Sequence, residues 1–252
     1  MLLTYLNNSI KKMDAILPIE TDAKLIIISV ATDKNNKGFQ NFENSLIQNN
    51  IKYKILGLNT KWNGGDMKNN TGGGQKINLL KEELKLWDIN SLKNTLLLFS
   101  DSYDVINLSS EEEIIAKYNN ISKNKILFSA EKYCWPDASL KKYYPETKSK
   151  YKYLNSGGFI GNAYEILKLI KMEINDHDDD QLYFTKLFLF DNQNIKLDYN
   201  CEIFQTLNET IEDIYIYKNR IINKNTSRMP ILIHGNGNSK NNIYLLEKIL
   251  NN

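Results

Sequence analysis

Short, near-continuous apolar runs alternating with amphipathic segments are what most narrow the fold of this chain. Lys24–Val30, Thr95–Ser100 and Lys125–Ala130 read as strands buried on both faces. Between the first two, Phe39, Phe42, Leu46 and Ile47 share a helical face ahead of a strand over Ile51–Leu56. Leu80, Leu84 and Trp87 do the same along Ile77–Trp87. Strand, helix, strand in that order predicts a parallel sheet with right-handed crossovers. Further helices are expected over Ser109–Tyr118, Ala163–Met172, Asp179–Phe190 and Asn241–Leu250. Short strands are expected near Ile203–Leu207, Ile214–Tyr217 and Pro230–Ile233. The pattern fits one α/β domain over residues 24–252, with residues 1–23 as an N-terminal extension. In such a fold the functional loops gather at the carboxyl ends of parallel strands.

Composition removes several classes of function. Hydrophobic residues at 42% and charged residues at 25% are ordinary for a soluble globular chain. The net charge of +2 gives no whole-molecule drive toward nucleic acid or an anionic membrane. No apolar run approaches the roughly 18 residues of a membrane span, and the first residues lack the pattern of a secretory signal. A soluble, cytoplasmic protein without membrane insertion is therefore expected. Two cysteines (Cys134, Cys201) and two histidines (His177, His234) exclude a disulfide scaffold and a structural zinc site. A metal would have to lean on carboxylates, which points to Mg2+ or Mn2+.

Three segments carry chemistry. The buried strand ending at Ser100 runs into Asp101-Ser102-Tyr103-Asp104. Two carboxylates three apart on a tight turn either stay solvated or converge on one cation. The apolar strand before them favours the second reading, because it holds the pair at a sheet edge. A second apolar strand ends at His234, followed by Gly235-Asn236-Gly237. That imidazole is either a metal ligand or an exposed turn residue. The acidic run Asp176-His177-Asp178-Asp179-Asp180 precedes an apolar helix. It exceeds what a helix cap needs, and could orient sugar hydroxyls or stabilise an oxocarbenium-like centre. The glycine-dense stretch from Trp62 to Lys76 is a loop, either a phosphate neighbour or a plain surface loop. Trp135 is either core or a sugar-stacking platform.

Longer strings carry a resemblance. They are Trp62 through Asp66-Met67, Gly72-Gly-Gly-Gln-Lys76, Phe99 through Val105, Phe128-Ser-Ala-Glu131 and Cys134-Trp-Pro-Asp137. They continue with Leu154-Asn-Ser-Gly-Gly-Phe-Ile-Gly161, Asp178-Asp-Asp-Gln-Leu182, Ile203-Phe-Gln205 and His234-Gly-Asn-Gly237. In this order they resemble the glycosyltransferase domain at the amino end of the procollagen lysyl hydroxylases, and its free-standing relatives. The resemblance implies a GT-A-type nucleotide-sugar-binding fold and a UDP-sugar donor held through Mn2+, with Mg2+ as the alternative. It assigns Asp101, Asp104 and His234 to the metal, and Trp62, Lys76, Tyr103, Gly235 and Asn236 to the nucleotide. Asn155, Asp179, Asp180 and Trp135 fall in the sugar and catalytic pocket. The implied reaction moves glucose or galactose from UDP-glucose or UDP-galactose to hydroxylysine or galactosyl-hydroxylysine of a collagen-like polypeptide. The family's glucosyl transfer retains anomeric configuration and its galactosyl transfer inverts it. The family's hydroxylase domain has no counterpart in the sequence, so lysine hydroxylation is not expected. A non-catalytic UDP-sugar-binding module, or a transferase with an unrelated acceptor, is the competing reading.

Overall fold

The computed structural model describes residues 24–66, 71–122, 124–191 and 194–250. The proposed N-terminal extension and the centre of the glycine loop lie outside them. A six-stranded sheet runs β2 (Tyr53–Leu56), β1 (Lys24–Val30), β3 (Thr95–Ser100), β6 (Tyr153–Asn162), β5 (Ile126–Glu131), β7 (Ile195–Leu197). Only β6 is antiparallel to its neighbours. Helices flank this sheet: α1 (Lys37–Gln48), α2 (Gly74–Lys85), α3 (Ile89–Asn94), α4 (Glu111–Ser122), α5 (Ala163–Leu169) and α6 (Asp180–Lys186). The result is the expected α/β fold with a mostly parallel central sheet. Among the described residues, no helix is long and apolar enough to cross a membrane.

Strand and helix positions follow their apolar pattern closely. In α1, Phe39, Phe42 and Leu46 are buried, each side chain stabilising the fold by about 2 kcal/mol. Ile47, expected on the same face, is 58% exposed. One residue turns a helix by about 100°, which carries Ile47 away from the sheet. Asn36 caps α1 by accepting the N–H groups of Gly38 and Phe39. The helix expected to run to Phe190 stops at Lys186 and continues as a wide turn over Leu187–Asp191.

The largest departure is β6. Asn155-Ser156-Gly157-Gly158 has turn-like composition, yet it lies inside this ten-residue strand. Its glycines answer close approach. A Cβ on Gly158 would come within 2.8 Å of the Phe204 ring, and one on Gly161 within 2.9 Å of Ile126. The strand also carries a register shift against β5 between Phe128 and Ser129.

A second, three-stranded sheet is what brings the distant site residues together. Its order is β4 (Val105–Asn107), β11 (Leu232–His234), β8 (Phe204–Thr206). β4 begins directly after Asp104, and the antiparallel register sets His234 opposite Val105. The hairpin β9 (Ile214–Tyr217) and β10 (Arg220–Asn223) and the last helix α7 (Lys240–Leu250) pack beside it.

One ion-pair cluster ties the hairpin to α4. Arg220 donates two 2.8 Å hydrogen bonds to Glu113, and Lys117 lies 3.1 Å from the same carboxylate. Burial raises the carboxyl's pKa, but Arg220 and Lys117 outweigh it and bring it down to about 2. A depressed folded value means that the stabilisation is present above the unfolded value and lost as pH falls through the folded one. Glu113→Gln is expected to cost about 1–3 kcal/mol at neutral pH. The variant and parent should converge in urea unfolding as pH is lowered from 4.5 toward 2.

Candidate functional site

Asp101 leaves the carboxyl end of β3, where its N–H donates to Gly157 O at 2.9 Å. Ser102 turns inward and its hydroxyl donates to Val30 O at 2.8 Å, tightening the turn. Asp104 then closes it, and its carbonyl accepts the Gly235 N–H at 2.8 Å. The β4–β11 register completes the set. His234 Nε2 stands 3.4 Å from Asp104 Oδ1 and 3.8 Å from Asp101 Oδ2. One ligand atom from each of the three residues falls within 4.8 Å of the others.

These distances fit a hard divalent ion. Ligand atoms about 2.1 Å from a six-coordinate ion stand roughly 3.0–4.2 Å apart. Among the described residues, the buried Nδ1 of His234 has no hydrogen-bond partner. Gly157 leaves the cradle open, since a Cβ there would strike the His234 ring and come within 2.8 Å of Asp101 Oδ2.

Lys76 enters from the first turn of α2. Its buried ammonium donates to Asp101 Oδ1 at 2.9 Å and lies 2.6 Å from Asp180 Oδ2. Burial alone would lower its pKa. The two carboxylates outweigh burial and push its pKa up instead. The carboxylates respond oppositely. For Asp101, burial is overcome by Lys76 and His234, and its pKa falls. For Asp180, burial assisted by the charge of Asp101 wins, and its pKa rises. A single ammonium thus joins the metal-type carboxylates to the acidic run.

From sequence, the glycine loop reads either as a phosphate neighbour or as a plain surface loop. A row of free N–H donors for a diphosphate is not what its described part presents. Gly73 N donates to Gly64 O at 2.8 Å, Gly74 N to Asp178 O at 2.9 Å and Gln75 N to Asp176 O at 2.9 Å. The loop is clasped by the acidic run, and Lys76 is its contribution to the centre. Gly73 adopts a φ of 104° and leaves no room for a Cβ beside the Asp180 carboxylate, so glycine is required there. Asp179 acts as the N-cap of α6, accepting the Leu182 N–H at 2.6 Å, and burial raises its pKa.

The other expected residues surround this centre. Tyr103 is half-buried, and its hydroxyl accepts the N–H groups of Thr32 at 2.9 Å and Asp33 at 3.0 Å, fixing the loop after β1. Trp62 lies over Gly64 and donates its indole N–H to Gly65 O at 2.7 Å. Trp135 is 56% exposed, which decides against the core reading. Asn236 is fully engaged: its Oδ1 accepts the N–H groups of Leu207 and Asn208, and its Nδ2 donates to Glu131.

Glu131 and Gln181 were not singled out from sequence, yet they organise the pocket floor. Buried Glu131 accepts from Asn155 at 2.9 Å, Gln181 at 2.8 Å and Asn236 at 3.0 Å. Burial raises its pKa despite these donors. Gln181 also accepts the Ser156 N–H at 3.2 Å and donates to Trp135 O at 3.2 Å. Lys240 is a further addition, 3.5 Å from Asp104 Oδ2. A lysine in the first turn of α7 opposes the helix dipole, and that was its sequence signal.

The sequence model described as PLOD GT domain matches residues 21–252. The chain belongs to this family. It is therefore a glycosyltransferase domain with the GT-A-type fold. An uncharacterized Acanthamoeba polyphaga mimivirus protein, R699, is 43% identical over 87% of this chain and 48% of its own length. The mouse procollagen-lysine,2-oxoglutarate 5-dioxygenase 2 is 39% identical over 86% of this chain and 30% of its own. The human multifunctional procollagen lysine hydroxylase and glycosyltransferase LH3 is 37% identical over the same shares. The chain thus spans about half the length of the viral relative and under a third of these animal ones.

Gly157→Ala tests the cradle. The added methyl should cost about 1–3 kcal/mol in stability and weaken Mn2+ binding at least tenfold in an electron paramagnetic resonance titration. Unchanged Mn2+ affinity in a folded variant would contradict this geometry.

Proposed function

We propose that this domain transfers a hexose, glucose or galactose, from a UDP-sugar to a hydroxylysine-type hydroxyl of a collagen-like polypeptide. The observation that carries the reading is the convergence of Asp101, Asp104, His234 and Lys76 at the carboxyl end of β3. The donor set, two carboxylates and one imidazole, suits Mn2+ or Mg2+. A divalent ion held there supplies positive charge against the negative charge that grows on the leaving diphosphate. Lys76 and Lys240 add cationic groups on either side of the same carboxylates. Tyr103 and Trp62, each anchored by its own hydrogen bond, offer ring faces to the uracil and ribose.

The sugar lies toward Asp180, Asp179 and Asn155 in this reading. The Asn155 amide is held in one orientation, Nδ2 toward Glu131 and Oδ1 toward the Gly157 N–H. Asp180 is fixed by Lys76 and by the Ser156 hydroxyl at 3.1 Å. These groups are preorganised to orient hydroxyls and to stabilise positive charge developing at the anomeric carbon. Exposed Trp135 forms the wall across which the acceptor arrives. The collagen-type acceptor rests on the relatives, two of which carry procollagen lysine in their names.

Incubation with Mn2+, a panel of UDP-sugars and a hydroxylysine-containing collagen peptide tests the reading. UDP release stimulated by the peptide, with one hexose added to its mass, is the expected result. Asp104→Ala should lower that release at least about 100-fold. Peptide glycosylation that persists in Asp104→Ala would remove the metal assignment, and UDP binding without turnover on any donor would leave a binding module.

A further inference from the structure

The connection between β5 and β6 has a charge unlike the rest of the chain. From Lys132 to Lys152 it carries six lysines against two carboxylates, in a chain whose whole net charge is only +2. Exposed aromatics lie beside it, two from the connection itself and one, Phe190, from the segment after α6. Trp135 is 56% exposed, Tyr143 52% and Phe190 59%. Tyr143 and Phe190 meet edge to face with ring centroids 5.3 Å apart, and Lys142 stands 4.9 Å over the Tyr143 ring.

These groups form a strip rather than a scatter. Trp135 is anchored at its head, where Gln181 at the start of α6 holds its carbonyl. Phe190, nine residues further along the same helical segment, carries Tyr143 at the tail. At a helical rise of 1.5 Å per residue that is roughly 13 Å. Lys186 lies between along this segment; the pKa of Asp137 is lowered first by its hydrogen bonds from Ser139, with the charge of Lys186 adding to them. Lys141, Lys142 and Lys186 are exposed and have no ion pair among the described residues. Exposed rings beside unpaired cations are the composition of a recognition surface rather than of a solvated face.

We propose that this strip docks the acceptor as an extended polypeptide with acidic residues beside the modified one. The inference rests on the transferase reading, since it supplies that site with its acceptor. An extended chain advances about 3.3 Å per residue, so the strip spans about four residues. The modified side chain enters at Trp135. Carboxylates two to four residues away, on one side, meet Lys186, Lys141 and Lys142, while flat or cyclic side chains lie on Tyr143 and Phe190. A nucleic acid suits the surface less well. Its closely spaced phosphates would run against Asp137 and, at the head, against Asp179.

Fluorescence anisotropy of labelled hydroxylysine peptides, with UDP and Mn2+ present, tests this. One peptide carries two glutamates two to four residues from the hydroxylysine, and a matched peptide carries glutamines. The acidic peptide should bind at least fivefold tighter, and the difference should shrink as salt is raised. The triple variant Lys141→Glu, Lys142→Glu, Lys186→Glu should abolish the preference, a loss of about tenfold for the acidic peptide. Tyr143→Ser with Phe190→Ser should weaken both peptides alike. UDP affinity should stay unchanged in both variants. Equal or absent binding of the two peptides overturns the proposal. So does an oligonucleotide of equal charge that binds as tightly, or a wild-type dimer in light scattering that the triple variant loses. Hexose transfer is scored separately. Charge-dependent binding without transfer to any peptide would fail the transferase reading and leave the strip; transfer indifferent to the strip would do the reverse.

Discussion

The buried ammonium of Lys76, held between Asp101 and Asp180, is the interaction on which the site depends. It joins three elements far apart in sequence: the turn after β3, the first turn of α2 and the head of α6. Without a cation there, buried Asp180 and half-buried Asp101 would face each other with like charge, which favours protonation of one of them. With it, Asp101 is held anionic beside His234, and Asp180 is tied to the same centre. The clasp of the glycine loop by Asp176 and Asp178 carbonyls places the start of α2 so that Lys76 reaches both. The lysine therefore belongs to the architecture of the pocket as much as to its chemistry.

A second set of contacts orients the pocket around that pair. Glu131, at the end of β5, gathers three amides from β6, α6 and the turn after β11. Each amide is thereby fixed in one direction, so the groups that the proposed reading turns toward the sugar are preorganised. The same hub reaches Trp135 through Gln181. The amides gathered on Glu131 and the carbonyl of Trp135 are thus parts of one hydrogen-bonded unit.

Much of this was legible in the sequence, for identifiable reasons. Strands β1, β3 and β9 appear at their expected residues because a short run of apolar and aromatic residues bounded by polar ones has few alternatives. Asp101 and Asp104 were legible because an apolar strand delivers them to a sheet edge. β6 was not, because Gly157 and Gly158 imitate a turn while serving contacts with His234 and Phe204 that only the folded sheet reveals. β4, at three residues, is too short for periodicity to register. The meeting of His234 with Asp104 depends on the β4–β11 register, which spacing alone does not determine. Glu131 ends an apolar run and reads as its solvent-facing terminus. Only the three amides that converge on it show otherwise. The family resemblance supplied the candidate ligand set that residue spacing left open, and the structure brings ligand atoms of its three residues within 4.8 Å of one another.

The claim that one ammonium organises the site is tested most directly by a double-mutant cycle on stability. Lys76→Met, Asp180→Asn and the double variant would be unfolded in urea beside the parent. Lys76→Met should be strongly destabilising, by about 3–5 kcal/mol, because it leaves the carboxylates without their shared cation; Asp180→Asn should cost less, because Lys76 keeps Asp101 at 2.9 Å. The double variant should then be less destabilised than the sum, by about 2 kcal/mol or more. Additive costs, within about 0.5 kcal/mol, would mean that Lys76 and Asp180 act independently, and the account of the pocket as one charge-linked unit would be wrong.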